Sequence, residues 1–238
     1  MPARVERRQQ TQAVGDADRH DEPAWKRATS LETRLPVTIA IAAAIFLQLG
    51  LPPRVSLSPH WLIPGLEALL LLGTVVANPA RFDRQGAIRS LRIALVVVLS
   101  VANAWSAERL VTRLVHGTLH EDATKLLLTG AAIWLTNVIA FALWYWELDR
   151  GGPVSRAKAE RVHVDFLFPQ MTSPELAPAD WEPGFVDYLY TSFTNAAAFS
   201  PTDVLPLTRW LKLTMLLQST VSLTTVALVI ARAVNTLR

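Results

Sequence analysis

Apolar residues in this chain are gathered into five long runs, Leu35–Leu51, Trp61–Ala77, Leu91–Ala107, Leu126–Trp146 and Leu211–Val234. A run of roughly 17–25 apolar residues matches the hydrocarbon thickness of a bilayer. Backbone amides facing lipid must be satisfied within their own segment, so each run is expected to be an α-helix. The fold class predicted is an all-α membrane protein with about five transmembrane helices, the first two short enough to leave little room for tilt.

Basic residues divide unevenly between the connectors. The tail carries Arg4, Arg7, Arg8, Arg19, Lys26, Arg27 and Arg34, the second connector Arg81, Arg84, Arg89 and Arg92, and the fourth Arg150, Arg156, Lys158 and Arg161. The first connector has Arg54, and the third has Arg109, Arg113 and Lys125. Basic residues accumulate on the cytoplasmic side, so a multi-pass protein of the cell membrane with a cytoplasmic N-terminus is expected.

Four regions follow. Residues 1–33 are expected to be a disordered cytoplasmic tail, with neither the apolar core nor the cleavage site of a signal peptide. Within the tail, Thr29 and Glu32 have capping-box spacing for the first helix. Residues 34–147 form a four-helix transmembrane region, 148–185 a polar, proline-containing linker, and 186–238 a hairpin with the last transmembrane helix.

The absence of cysteine excludes disulfides, thiolate metal sites and cysteine nucleophiles. The high pI, about 9.6, comes largely from loop arginines, which membrane topology explains without nucleic acid. No nucleophile–base pair, phosphate loop or second acidic cluster is evident, so the expectation is a non-enzyme without a cofactor.

Residues 188–206, YLYTSFTNAAAFSPTDVLP, are too polar and too short for a comfortable span. Asp187 is expected in the first turn of a short helix, where the helix dipole favours a carboxylate, and Pro201 is expected to stop that helix near Phe199. Tyr190, Thr194 and Ala197 share one face while Ser192, Asn195, Ala196 and Phe199 occupy others, which predicts a helix enclosed by protein. The three alanines Ala196–Ala198 permit close backbone approach. A half-helix over about 187–199 that re-enters the membrane is favoured over one that crosses it, although loop charge does not distinguish them.

The order of elements (helix, polar linker, short helix, turn with Asp, long apolar helix) resembles the pore module of the potassium-channel superfamily. Against its pattern Y-x-S-x-x-T-x-T-T-V-G-Y-G-D-x-x-P, the residues Tyr190, Ser192, Asp203 and Pro206 match. Ala198, Phe199, Ser200, Pro201 and Thr202 stand where that family has T-V-G-Y-G, so the resemblance implies a degenerate filter. A potassium filter aims successive carbonyls at the ion along a path its glycines permit. Potassium selectivity of the usual kind is therefore not expected. Charge counting also brings the hairpin in from the cytoplasm, opposite to the channel module. The layout is similar to that of a family of bacterial multi-spanning membrane proteins with no assigned activity. What the resemblance implies is an atypical pore or ion site lined by Ser200, Thr202 and Asp203 with Asn195 behind them. The competing expectation, at even weight, is a polar hairpin that caps a helical bundle.

Elsewhere, Glu67 lies within the second run, where a carboxyl is costly unless it faces protein, water or a partner. It is either a proton or cation site or a protonated group bonded between helices. Asn103, Asn137 and Gln218 are expected to make interhelical hydrogen bonds. Glu108, Arg109, Arg113 and His116 line the end of the third run, as a snorkelling stripe or an anionic headgroup site. His116 and His120 have one-turn spacing but form only a weak metal motif. Trp144, Tyr145 and Trp146 predict an interfacial aromatic belt, Glu147, Asp149 and Arg150 an ion-paired boundary, and Gly151 and Gly152 a helix stop. The linker aromatics are expected along the membrane surface.

Two functions are consistent with these features. One is an ion channel or transport protein that takes a monovalent or divalent cation and works as a homo-oligomer, since a lone pore loop needs symmetry mates. The other is a non-conducting sensor, scaffold or partner-binding subunit in which the hairpin is structural. The lipid bilayer is a partner in both.

Overall fold

The computed structural model describes residues 22–76, 85–117, 122–197 and 203–236, and is predominantly helical. Its helices are α1 (Leu35–Leu49), α2 (Leu62–Val76), α3 (Gln85–Val115), α4 (Ala123–Leu148), α5 (Pro153–Ala157), α6 (Pro169–Thr172), α7 (Phe185–Ala197) and α8 (Arg209–Thr236). Two short strands, β1 (Phe166–Leu167) and β2 (Leu205–Pro206), pair antiparallel with Phe166 opposite Pro206.

All five apolar runs form helices. The helical segments Gly86–Val115, Ala123–Gly151 and Arg209–Asn235, built on α3, α4 and α8, are long and apolar enough to cross a membrane. The five expected spans are not equal in this respect. Helices α1 and α2 have 15 residues each, about 22 Å at 1.5 Å per residue, short of a hydrocarbon core about 30 Å thick. Gly50, Pro52 and Pro53 end α1, because proline removes an amide donor and clashes with the preceding turn.

Helix α4 is the axis of the molecule and packs against α1, α3, α7 and α8. Asp122 caps its N-terminus by accepting the Lys125 amide at 2.9 Å, a bond that holds the Asp122 carboxyl below its ordinary range. At the other end the chain turns through left-handed backbone at Arg150 (φ 51°), Gly151 (φ 83°) and Gly152 (φ 97°). A side chain at Gly152 would bring Cβ within 2.7 Å of the Glu147 carbonyl oxygen, so the expected glycine stop has a steric cause.

Two apolar clusters mark the two ends of the bundle. At the near end, Arg34 meets Thr74, Arg92 meets Glu147, and Glu32 meets Trp146. At the far end, Leu51, Leu110, Leu114, Ala123, Leu126, Val229 and Ala233 pack together. Helix α7 starts at the near end, with Phe185 edge-on to Trp146, and runs antiparallel to α4 until Phe193 meets Trp134. By β2 the chain is again at the near end, because β1 adjoins Asp149. From there α8 runs the full length of α4, from the Tyr145 level at Gln218 to Gly130 at Val229.

Three expectations about polar and aromatic segments are corrected. Residues 22–33 of the tail, expected to be disordered, dock on the bundle: Ala24 is buried, and Thr29 donates to Glu182 at 2.7 Å. Thr29 and Glu32 form no capping box, since α1 starts after Arg34 with no side-chain cap. Trp144, Tyr145 and Trp146, expected at an interface, each have a protein partner for the polar tip. Trp144 donates to Ser100, Tyr145 to Gln218 and Trp146 to Glu32. Phe166 and Phe168 are buried against Tyr145 and Tyr188 rather than lying along a membrane surface. The linker is drawn inward because its phenylalanines fill the gap between α4 and α7.

Gly152→Ala is expected to destabilise the protein by about 2 kcal/mol, since it combines a left-handed backbone with a steric clash. Gly65→Ala, in an open stretch of α2 with no heavy atom within 4 Å of the added Cβ, should be neutral or stabilising by up to about 1 kcal/mol. Thermal unfolding in detergent compares the two.

Candidate functional site

The last described turn of α7 lies beside the middle of α4, where water is scarce and backbone carbonyls need protein donors. Helix α8 places three side-chain donors on the carbonyls of this turn and the one before it. Ser219 Oγ donates to Asn195 O at 3.1 Å, Ser222 Oγ to Ala196 O at 2.7 Å, and Gln218 Nε2 to Ser192 O at 3.0 Å. The spacing of Gln218, Ser219 and Ser222 puts all three on the α8 face toward α7.

Gln218 is fully buried and joins three helices. Its Oε1 accepts from Tyr145 Oη of α4 at 2.6 Å and from Asn195 Nδ2 of α7 at 2.8 Å. Its Nε2 also reaches Ser192 Oγ at 2.7 Å, and that hydroxyl donates onward to Val138 O at 2.6 Å. Asn195 Nδ2 makes a second bond to Met215 O at 3.0 Å. Thr191 and Thr194 satisfy their hydroxyls on the carbonyls one turn back within α7.

The opposite end of α7 is held by carboxylates. Asp187 Oδ2 accepts the Gly184 amide at 2.8 Å, which is the expected first-turn role. Glu32 of the tail reaches across, accepting the Phe185 amide on Oε1 and Trp146 Nε1 on Oε2. Beside it lies a buried knot around Asp149, whose Oδ2 accepts Tyr188 Oη at 2.6 Å and whose Oδ1 accepts the Asp165 and Phe166 amides. Arg156 Nη1 donates to the Trp146 and Asp149 carbonyls at 2.6 and 3.0 Å, closing the C-terminus of α4. The Arg156 guanidinium also lies 5.0 Å from the Tyr188 ring centroid, within cation–π range.

Of the nominated pore residues, Asn195 and Asp203 are described, while Ala198, Phe199, Ser200, Pro201 and Thr202 lie outside the described residues. Asn195 turns toward α8, and Asp203 is exposed beside β2. Contrary to the protein-enclosed helix expected from its residue pattern, α7 has one exposed face. Val186, Tyr190 and Phe193 form an exposed stripe, since the core contacts are taken by Phe185, Tyr188, Thr191 and Ser192.

The intramembrane candidates separate. Gln218 is the hub, and Asn137 Nδ2 points at Gln218 O across a long 3.5 Å. Glu67, fully buried, accepts Gln48 Nε2 at 3.1 Å on Oε1, tying α2 to α1, and its Oε2 has no partner. Asn103 is buried on α3, and its Oδ1 makes no hydrogen bond, unlike the interhelical bond expected of it. None of these is brought beside the α7–α8 network except Asn137 and Gln218. His116 is exposed with Nδ1 2.7 Å from Thr112 O, and His120 lies outside the described residues. No group of three metal-ligating side chains occurs among the described residues. Arg109 lies over Trp105, 4.7 Å from the ring centroid, and Glu108 accepts Thr112 Oγ1.

Composition did not single out Glu32 or Tyr188 as partners, because their partners lie 153 and 39 positions away along the chain. The Glu147–Arg92 pair, bidentate at 2.9 and 3.1 Å, was foreshadowed by the carboxylates ending α4 but not by any signal naming Arg92.

No family model, curated protein or solved structure matches this chain.

Gln218→Leu removes donors and acceptors from three helices and is expected to cost about 3 kcal/mol, against less than about 1 kcal/mol for Asn137→Ala with its single long contact. Tyr188→Phe strands the buried Asp149 oxygen and should cost about 2 kcal/mol. Chemical or thermal unfolding of each variant in the same detergent gives the order.

Proposed function

We propose that this chain is a non-conducting integral membrane protein of five crossings, in which α7 is a re-entrant half-helix serving as a structural strut rather than a pore helix. Three helices of membrane-crossing length and composition support its membrane location. For α1 and α2, the alternation of near and far ends along the chain supports crossing, with shortness offset by local thinning of the bilayer or by snorkelling of flanking residues.

The observation that carries the strut reading is the occupation of the carbonyls in the last described part of α7. A helix end that served an ion would leave its carbonyls, and the partial negative charge they carry, open to the pathway. Here the Ser192, Asn195 and Ala196 carbonyls are already occupied by Gln218, Ser219 and Ser222. Asn195, the polar residue set behind the filter-like stretch, spends its amide on α8 as well. Re-entry is supported by α7 and β2 lying at the same end of the bundle, and it puts the C-terminus on the side opposite the N-terminus.

A conducting homo-oligomer is the second reading, favoured by the exposed Val186, Tyr190 and Phe193 stripe, which offers symmetry mates a surface. Ion flux separates the two. Purified protein in vesicles under potassium, sodium and calcium gradients should give no flux above empty vesicles, and Asp203→Asn should change nothing. Flux that depends on Asp203 would replace the strut with a pore. A reporter fused after Arg238 should be active on the side opposite the N-terminus.

A further inference from the structure

At the near end, α1, α2, α3 and α4 surround a cavity of about 60 Å³. Arg34 at the start of α1 and Arg92 on α3 both line it. Below them its walls are apolar, formed by Val37, Ile41, Leu71, Val96 and Leu143.

The two guanidinium groups differ in how they are matched. Arg92 is held bidentate by the buried Glu147, which also has Arg89 at 3.8 Å. Arg34 is half-buried and gives one hydrogen bond, Nη1 to the Thr74 carbonyl at 3.0 Å, with no carboxylate within salt-bridge distance among the described residues. Burial first, and then the like charge of Arg92, pull the Arg34 guanidinium below its ordinary value. Glu32, also at the cavity, has both oxygens engaged by Phe185 and Trp146. A planar guanidinium with free donors, facing a second cation in a partly dry site, is complementary to an anion with several acceptor oxygens.

We propose that this cavity binds the phosphodiester headgroup of an anionic phospholipid, with Arg34 as its principal ligand, Arg92 as the second charge, and the apolar slot receiving the first part of an acyl chain. A phosphodiester supplies the acceptors that Arg34 lacks. The vertical order, charge at the helix ends and aliphatic side chains one to two turns further in, is that of a lipid standing in one leaflet. Soluble phosphate shares the headgroup chemistry but leaves the apolar slot unfilled. The proposal rests on the reading that α1–α4 cross the membrane, which sets the near end at a membrane face, and it is independent of the strut role of α7.

The test is lipid retention by the full chain in a neutral detergent, measured by native mass spectrometry and by the shift in melting temperature on adding dioleoyl phosphatidylglycerol, dioleoyl phosphatidylcholine or inorganic phosphate. The parent protein should retain one phosphatidylglycerol, and its melting temperature should rise with that lipid but not with phosphatidylcholine. Arg34→Gln should weaken phosphatidylglycerol binding by about tenfold, while Arg109→Gln, outside the cavity, should leave it unchanged. Val75 lines the slot and is exposed, so Val75→Trp should block the lipid without removing a charge or disturbing the core. Equal retention of phosphatidylcholine, or unchanged retention by both Arg34→Gln and Val75→Trp, overturns the proposal. Saturation by inorganic phosphate at the same concentration as lipid overturns the lipid source. Arg34-dependent binding together with a C-terminal reporter on the N-terminal side would sink the re-entrant reading and leave the lipid site standing.

Discussion

A helix that stops in the middle of an apolar bundle strands its last carbonyl groups, and leaving them unpaired in a water-poor setting costs several kcal/mol. Most of what is unusual in this protein answers that constraint. Gln218, Ser219 and Ser222 stand on the face of α8 that meets the last described turn of α7, and Tyr145 and Val138 of α4 complete the same set of bonds. A network of this kind is cooperative and demanding. Fully satisfied, it fixes one arrangement of three helices, whereas a single missing partner exposes the rest.

The near end shows the same logic with charges. The amides that begin α7 are met by Asp187 and by Glu32 from the tail, and the carbonyls that end α4 are met by Arg156. Burying these groups is tolerable because each has a partner of opposite polarity close by. Arg34 departs from this pattern. Its charge faces a cavity rather than a carboxylate, at the height where an anionic headgroup would lie.

Much of the scaffold was legible in the sequence. Long apolar runs dictate helices whatever their packing, so all five appear, and the glycine pair after α4 marks its end because only glycine escapes the Glu147 carbonyl. The first-turn role of Asp187 followed from helix electrostatics. The partners of the capping and aromatic residues were not legible for a common reason. Thr29, Glu32, Trp144 and Trp146 fit local rules for caps and interfacial belts, but their hydrogen bonds go to tertiary partners far along the chain. The lining of any pathway was the least legible part. A polar residue in an apolar helix signals a partner without saying whether it is an ion or another helix, and at Asn195 and Gln218 the structure supplies helices.

The return of α7 to its side of entry is the central claim, and the chain's lack of cysteine makes it directly measurable. Single cysteines placed at the exposed positions Ser30, Asp203 and Asn235 would be labelled with a membrane-impermeant maleimide from each side of sealed, oriented vesicles. Ser30→Cys and Asp203→Cys should label from the same side and Asn235→Cys from the other. Labelling of Asp203→Cys from the side opposite Ser30→Cys would mean that α7 crosses the membrane, contradicting the strut.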